Sequence, residues 1–163
     1  MSDISDSARV SILVSDFANV DGSGKLNTIG AGVAITGIDP QTGQTAPMSL
    51  VLICHVDPRF IGRQYAIELA LYADDGRLVQ PPGPVDAPPI RIGQPVRVEP
   101  PQAPRGSYIP PGTVWPGTQM IVNFQNGLPL AAGRSYEWRG SIDGAVVCIS
   151  NLLVADPPPV TIG

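Results

Sequence analysis

Residues 135–154, SYEWRGSIDGAVVCISNLLV, decide the fold class of this chain. Tyr136 and Trp138 are two positions apart, the spacing that places two side chains on one face of a β-strand. The dipeptide Asp143-Gly144 follows, and it favours the two-residue type I′ turn of a β-hairpin. The stretch therefore predicts two antiparallel strands that flank this turn, with both aromatic side chains in the core.

Alternation of apolar and polar residues recurs along the rest of the chain, in windows separated by turn residues. In Gln64–Ala73, four apolar side chains share one face, and the hairpin signal Asp74-Asp75-Gly76 follows. Helices are disfavoured, because the helix formers Glu and Lys number only three and one. We therefore predict an all-β fold, a single antiparallel β-sandwich of seven to eight strands. The other predicted strands cover residues 9–16, 25–38, 48–56, 90–98 and 118–125.

The length of 163 residues fits one domain, and an apolar content of 43% is enough for a core. We predict that the sandwich covers residues 1–155 and that an extended C-terminal tail covers 156–163. Three prolines make the start of the tail a stiff spacer, and the alternating residues after them suit addition to a sheet edge elsewhere. The candidate contact residues of the tail are Pro157, Pro158, Pro159, Val160 and Ile162.

Residues 80–116 form a proline-rich excursion, with twelve prolines in thirty-seven positions. Proline fixes φ and lacks an N–H donor, so such a stretch belongs to turns, sheet edges or polyproline II. The strand predicted at 90–98 is therefore an edge strand, interrupted by Gly93 and Pro95. The rest is a rigid apolar loop that either packs on its own domain or docks on a neighbour. Its candidate interface residues are Tyr108, Ile109, Pro110, Pro111 and Trp115.

Residues able to support catalysis are few. The one histidine, His55, follows Cys54 in a predicted strand, where adjacent side chains point to opposite faces and cannot pair. We interpret His55 as a structural or surface residue, and Cys54 and Cys148 as two buried free thiols, with a disulfide between them left open. Zinc spacing and a carboxylate pair are missing as well. We predict a protein that is not an enzyme and binds no cofactor.

A polar loop after the first predicted strand has some features of a calcium-binding loop. Asn19, Asp21 and Gly22 occupy its third, fifth and sixth positions. Phe17 and Thr28 stand at the first and twelfth positions, where carboxylates are expected. The pattern favours a polar hairpin loop in residues 16–21 and leaves ion binding open.

The charge pattern bears on possible partners. The net charge is −4, and the arginines are scattered singly, so we expect no nucleic-acid partner. The N-terminus is acidic where a signal peptide is basic. The longest apolar run, residues 50–54, is too short to span a bilayer. We therefore expect neither export nor a membrane partner.

Residues 14–30, VSDFANVDGSGKLNTIG, resemble the opening of a family of small uncharacterised bacterial and phage proteins. In that family, a strand ends in an Asp-aromatic pair, and a polar loop, Gly-Lys and an apolar strand follow. Residues 62–76 are similar to its middle portion, so the resemblance covers about the first half of the chain. It implies a β-sandwich in an actinobacterial or phage setting, in agreement with the chain's preference for Arg, Ala, Pro and Asp.

These observations lead to a hypothesis of a virion structural protein, most specifically a capsid decoration or minor capsid protein that is assembled in the host cytoplasm. Its partners would be the major capsid protein and copies of itself, in a homo-oligomer such as a trimer. The alternatives are a phage tail component and an actinobacterial module that binds a small molecule or a glycan through residues 16–21 and 108–115. A pocket lined by both tryptophans favours the binding module, and a flat apolar surface favours the structural protein.

Overall fold

The computed structural model describes residues 2–82 and 87–157. These two ranges contain twelve strands, a five-residue α-helix and one turn of 3-10 helix, which confirms the predicted all-β class. None of their helices is long and apolar enough to cross a membrane. The strands are β1 (Arg9–Ser15), β2 (Phe17–Val20), β3 (Leu26–Ile29), β4 (Ile35–Thr36), β5 (Ile38–Asp39), β6 (Gln44–Thr45), β7 (Met48–His55), β8 (Gln64–Ala73), β9 (Arg91–Arg97), β10 (Gly117–Phe124), β11 (Arg134–Ile142) and β12 (Ala145–Val154). The helices are α1 (Asp3–Ser7) and the 3-10 turn Pro58–Phe60.

Two sheets form the sandwich. The smaller sheet has the strand order β1-β7-β10, and the larger has the order β4-β12-β11-β8-β9. All neighbours are antiparallel except β4, which runs parallel to the end of β12. The hairpins β2–β3 and β5–β6 are small separate sheets, and Ala18 of the first donates its N–H to the Ser49 hydroxyl of β7.

The core lies between the two sheets. The alternating apolar residues of β8 are buried as predicted, and so are Tyr136 and Trp138 of β11. The Trp138 ring stacks on Phe124 at a centroid distance of 5.6 Å, which joins the larger sheet to β10 of the smaller one. Each such side chain contributes about 1.5–3 kcal/mol of stability through burial. The core therefore depends most on the strands around β11.

The hairpin between β11 and β12 has the predicted turn. Asp143 and Gly144 have φ values of 48° and 81°, the two positive angles that a type I′ turn requires. Asp143 also accepts a hydrogen bond at Oδ1 from the Ala66 N–H and donates its own N–H to the Ala66 carbonyl, at 2.8 and 2.9 Å. The turn is thus fixed to β8 as well as to its own strands.

Two local predictions were wrong. The single strand predicted for residues 25–38 is divided into β3, β4 and β5, because Gly30 and Gly32 turn the chain at φ values of 65° and 95°. A Cβ at Gly30 would lie 2.1 Å from Oδ2 of Asp16, so a side chain cannot replace this glycine without displacing that carboxylate.

The helix α1 was not predicted. It begins where Ser2 caps the Ser5 N–H at 3.2 Å and where acidic residues meet the positive end of the helix dipole.

The edge strand predicted at 90–98 is confirmed as β9, the last strand of the larger sheet. Ile90 accepts the Leu71 N–H, and Val98 donates its N–H to Arg63, so the backbone groups of even-numbered residues face β8. By the alternation of a strand, the nitrogen of Pro95 faces away from the sheet. Proline at this position therefore costs no ladder hydrogen bond.

Candidate interaction surfaces

The excursion after β9 is held in shape by two turns of the same kind. In 104–107 (PRGS) and 110–113 (PPGT), the fourth residue donates its N–H to the first carbonyl, at 3.0 and 3.3 Å. The third residue of each turn is a glycine with φ near 80°, as a type II turn requires. The Ser107 and Thr113 hydroxyls also donate to the first carbonyl of their turns, at 2.6 and 2.7 Å. The repeated pattern Pro-x-Gly-Ser/Thr was visible in the sequence, although the sequence reasoning did not use it.

Tyr108 lies between these turns and is the most exposed large hydrophobic residue in the described ranges, at 78%. Ile109 is half-buried, and Pro110 and Pro111 are exposed. Four of the five predicted interface residues of the excursion therefore form one short segment, residues 108–111, which begins with an exposed aromatic ring. The two turns restrain this segment on both sides.

Trp115, the fifth, has a different environment. It is half-buried, and the guanidinium carbon of Arg9 lies 4.2 Å from the centroid of its ring. The neighbouring Pro116 accepts the Val56 N–H at 3.0 Å. Trp115 thus packs the end of the excursion onto the smaller sheet of its own domain. Trp138 is fully buried in the core, so the two tryptophans line no common pocket.

A shallow cavity of about 390 Å³ lies at this end of the smaller sheet, lined by Arg9, His55, Trp115 and the residues 113–114. His55 is exposed there, and a Cβ at Gly117 would approach its ring to 3.2 Å. Cys54 points the opposite way into the core, as predicted for neighbours in a strand. The imidazole and the adjacent thiol are therefore on opposite faces of β7.

Both cysteines are free thiols. Cys54 is buried, and desolvation raises the pKa of its thiol even though the Tyr65 hydroxyl hydrogen-bonds its sulfur at 3.6 Å. Burial also raises the pKa of Cys148, to about 11. Cys148 is half-buried, whereas the sequence predicted full burial, because its strand lies near the open side of the sandwich. Raised pKa values keep both thiols protonated and weakly nucleophilic at neutral pH.

The loop between β2 and β3 is organised by Asp21. Its Oδ1 accepts the Ser23 N–H, the Ser23 hydroxyl and the Lys25 N–H at 2.7–3.0 Å. These hydrogen bonds, led by that of the Ser23 hydroxyl, lower the pKa of the Asp21 carboxyl. The carboxylate thus closes a polar turn at residues 21–25, whereas residues 17–20 of the loop predicted at 16–21 form the strand β2. In the described ranges, no three His, Cys, Asp or Glu residues are grouped so that they could hold a metal ion.

An apolar surface that the sequence reasoning missed lies on the outer side of β12. Val146 and Ile149 are 52% and 55% exposed, and Leu153 and Ile35 of the adjoining β4 are also exposed. Residues 145–154 contain no charged residue, proline or glycine, which was the available signal. This uncharged run indicates a contact surface only if β12 lies near a sheet edge, and the sequence does not show the strand order.

The rest of the outer face of the larger sheet is polar and internally neutralised. Arg91 pairs with Glu68 at 2.6 Å, and Arg139 pairs with Glu137 at 2.7 Å while lying over the Tyr72 ring. These exposed pairs contribute little to stability. They give this part of the face balanced charges, whereas the neighbouring surface of β12 is apolar and uncharged.

The predicted tail is described only at its start. Pro157 is exposed and follows β12 by three residues. Pro158, Pro159, Val160 and Ile162 lie outside the described residues.

A scan against protein-family models found no match. A search of the curated proteins found none either. The interpretation of the surfaces therefore depends on their geometry.

Proposed function

We propose that this protein is a non-enzymatic structural subunit of a phage particle, most specifically a capsid decoration or minor capsid protein. The observation that carries the proposal is Tyr108, an aromatic ring that is 78% exposed and lies between two type II turns. Its partners are the major capsid protein and further copies of itself.

The restraint of this segment is what suits it to adhesion. A loop already fixed by turns loses less conformational entropy on docking, so more of the contact energy remains as affinity. Tyrosine is enriched among the residues that dominate binding energy, and truncation of such a residue typically costs about 2 kcal/mol or more. Exposed Pro110 and Pro111 extend the contact with rigid apolar surface.

The arrangement of the reactive side chains supports a role without catalysis. Nucleophilic catalysis requires a base within hydrogen-bond reach of an activated nucleophile. His55 and Cys54 lie on opposite faces of β7, and burial raises the pKa values of both thiols. Each of these features works against an activated thiol.

The phage setting rests on the resemblance that the sequence analysis proposed for residues 14–30. The surfaces described above would serve equally well in a tail component, because adhesion to a neighbouring subunit needs the same chemistry. The binding-module alternative has less support, because its criterion of a pocket shared by both tryptophans is not met. Capsid and tail are therefore the two locations to distinguish.

The experiment uses particles of the phage that encodes this chain. Mass spectrometry of separated heads and tails should detect the chain in the heads. Particles that lack it should then recover the purified protein in a co-sedimentation assay. Tyr108→Ala should weaken this binding by about thirtyfold, the equivalent of 2 kcal/mol. Deletion of residues 156–163 should weaken it further if the tail also contacts the capsid.

Tyr108→Phe is the matched control, because it keeps the ring and should retain most of the binding. Detection in tails alone would move the protein to the tail. Absence from both fractions would overturn the proposal.

A further inference from the structure

The larger sheet has one edge that is only partly covered. β4 pairs with β12 only at Leu153 and Val154. Within the described residues, no strand pairs with positions 145–152 on that side. β1 of the smaller sheet and α1 lie close to β12 without pairing with it. An edge strand with unpaired backbone groups is a template on which another strand can add.

The direction of the backbone groups at this edge follows from the bonds to β4. Leu153 donates its N–H to Ala34 at 2.9 Å, and Ala155 donates to Thr36 at 2.8 Å. Odd-numbered residues therefore direct their N–H and C=O groups toward the edge. Ile149 and Asn151 lie upstream in the same alternation, so their N–H and C=O groups also face the edge. Among the described residues, no strand pairs with these groups.

The open window has two natural limits. At its C-terminal end, β4 covers Leu153. At its N-terminal end, the register with β11 shifts between the partners Cys148 and Val146, so Val147 forms a bulge. The regular part without a strand partner on that side is residues 148–152, which is centred on Ser150.

We propose that this window pairs with the same window of a second copy, antiparallel, about a twofold axis at Ser150. Ile149 of one copy would exchange two backbone hydrogen bonds with Asn151 of the other, and the symmetric pair would exchange two more. The two Ile149 side chains would be diagonal neighbours on the outer face. This inference deepens the proposed function, on which it rests, by naming a second copy as the partner of this surface.

Charge and symmetry together select a second copy. The strand has no charged residue that would repel an identical strand or attract a charged partner. The opposite edge, β9, cannot serve as the complement, because Pro95 removes an outward donor and Arg91 and Arg97 flank it. Head-to-tail growth of a filament is thus blocked, and a closed twofold pair remains. Such a pair competes with the trimer that we expected from the sequence.

Light scattering after size-exclusion chromatography of the full chain tests the inference. At about 100 μM, where micromolar contacts are populated, the mass should be twice the chain mass of 17.1 kDa. Ile149→Lys should raise the dimer dissociation constant by about fivefold, the equivalent of about 1 kcal/mol, because it replaces an apolar diagonal contact with two like charges. Ile29→Lys is the matched control, because Ile29 is 66% exposed and lies on the β2–β3 hairpin, away from this edge. The control should remain dimeric.

A monomer or a trimer in the wild type would overturn the inference, as would an unchanged dimer dissociation constant in Ile149→Lys. If that variant fails to fold, as judged by circular dichroism, Asn151→Pro tests the same window, because it removes an N–H that faces the open edge and should weaken the dimer further. The outcome is independent of the particle assay, because the dimer is measured without phage. Failure here would leave capsid binding through Tyr108 intact, and a dimer could form in a protein that binds no particle.

Discussion

The two edges of the five-stranded sheet are built differently. β9 carries Pro95, Gly93 and exposed arginines, and its one proline stands where the missing N–H faces outward. β12 has ten residues without charge, proline or glycine, and its outer side exposes Val146 and Ile149. Proteins commonly protect sheet edges with the features that β9 has. The contrast within one sheet indicates that the sheet ends at β9, whereas β12 can contact a further strand.

The two edges share one core. β11 lies between β8 and β12, and its Trp138 packs against both layers of the sandwich through Phe124. The β9 edge and the β12 edge are therefore held by the same interior, although their surfaces differ. Changes in the core should affect both edges, and changes at one edge should leave the other unaltered.

The largest expected effect comes from Trp138→Ala, which removes the support of both edges. Replacement of a fully buried tryptophan leaves a cavity and should lower the free energy of unfolding by about 3–5 kcal/mol. Urea denaturation followed by circular dichroism measures the change. Tyr108→Ala, at an exposed position, should change stability by less than about 0.5 kcal/mol. Equal losses in the two variants would refute the assignment of Trp138 to the core.

A pair of proline substitutions sharpens the comparison at β12. Ser150→Pro removes an N–H that faces β11, so an acceptor in the ladder is left unpaired at a cost of about 1–3 kcal/mol. Asn151→Pro removes an N–H that faces the open edge, as Pro95 does in β9, and should destabilise the monomer less. Urea denaturation at low protein concentration compares the two. Asn151→Pro should also abolish the dimer, and a greater loss of monomer stability than with Ser150→Pro would reverse the assigned direction of the strand.

A smaller effect is expected in the turns that follow β9. Gly106 has a φ of 79° and open space where a Cβ would stand, so Gly106→Ala meets only the cost of a left-handed backbone, about 1–2 kcal/mol. Gly22 also has open space but lacks a positive φ, so Gly22→Ala should be close to neutral. Thermal unfolding of both variants checks this. A similar loss in both would show that the turn at Gly106 does not restrain the excursion.

The smallest effect concerns pH. The hydrogen bond from Arg134 holds the pKa of the Asp74 carboxyl below its ordinary value of 3.8 and joins the start of β11 to the turn after β8. A carboxyl with a lowered folded pKa stabilises the protein above pH 3.8, and this contribution is lost as the pH falls through the folded pKa. Between neutral pH and pH 3, the melting temperature of Asp74→Asn should therefore fall by less than that of the wild type. An unchanged drop would show that the pair contributes nothing measurable.

The sequence predicts most of this fold because local rules decide it. The alternation in β8 and the Asp143-Gly144 turn follow from side-chain period and from φ. The break of residues 25–38 into three strands does not, because glycine also occurs inside strands and only the structure shows that Gly30 and Gly32 have positive φ angles. The separate roles of Tyr108 and Trp115 depend on Arg9, which is distant in sequence from both.

The edge of β12 is the clearest case of what the sequence could not show. An uncharged ten-residue strand is typical of a central strand, which is buried on both sides. Only the strand order shows that β12 pairs with β11 on one side and with little on the other. The unpaired backbone edge of β12 is therefore a property of topology rather than of composition.

Amide hydrogen exchange measured by NMR at several protein concentrations tests the difference between the edges most directly. The outward-facing amides of Ile149 and Asn151 should exchange more slowly as the concentration rises, because pairing with a second copy protects them. The outward-facing amides of Arg91, Gly93 and Arg97 in β9 should exchange quickly throughout. Protection of the β9 amides with concentration, or unchanged exchange at Ile149 and Asn151, would contradict the account.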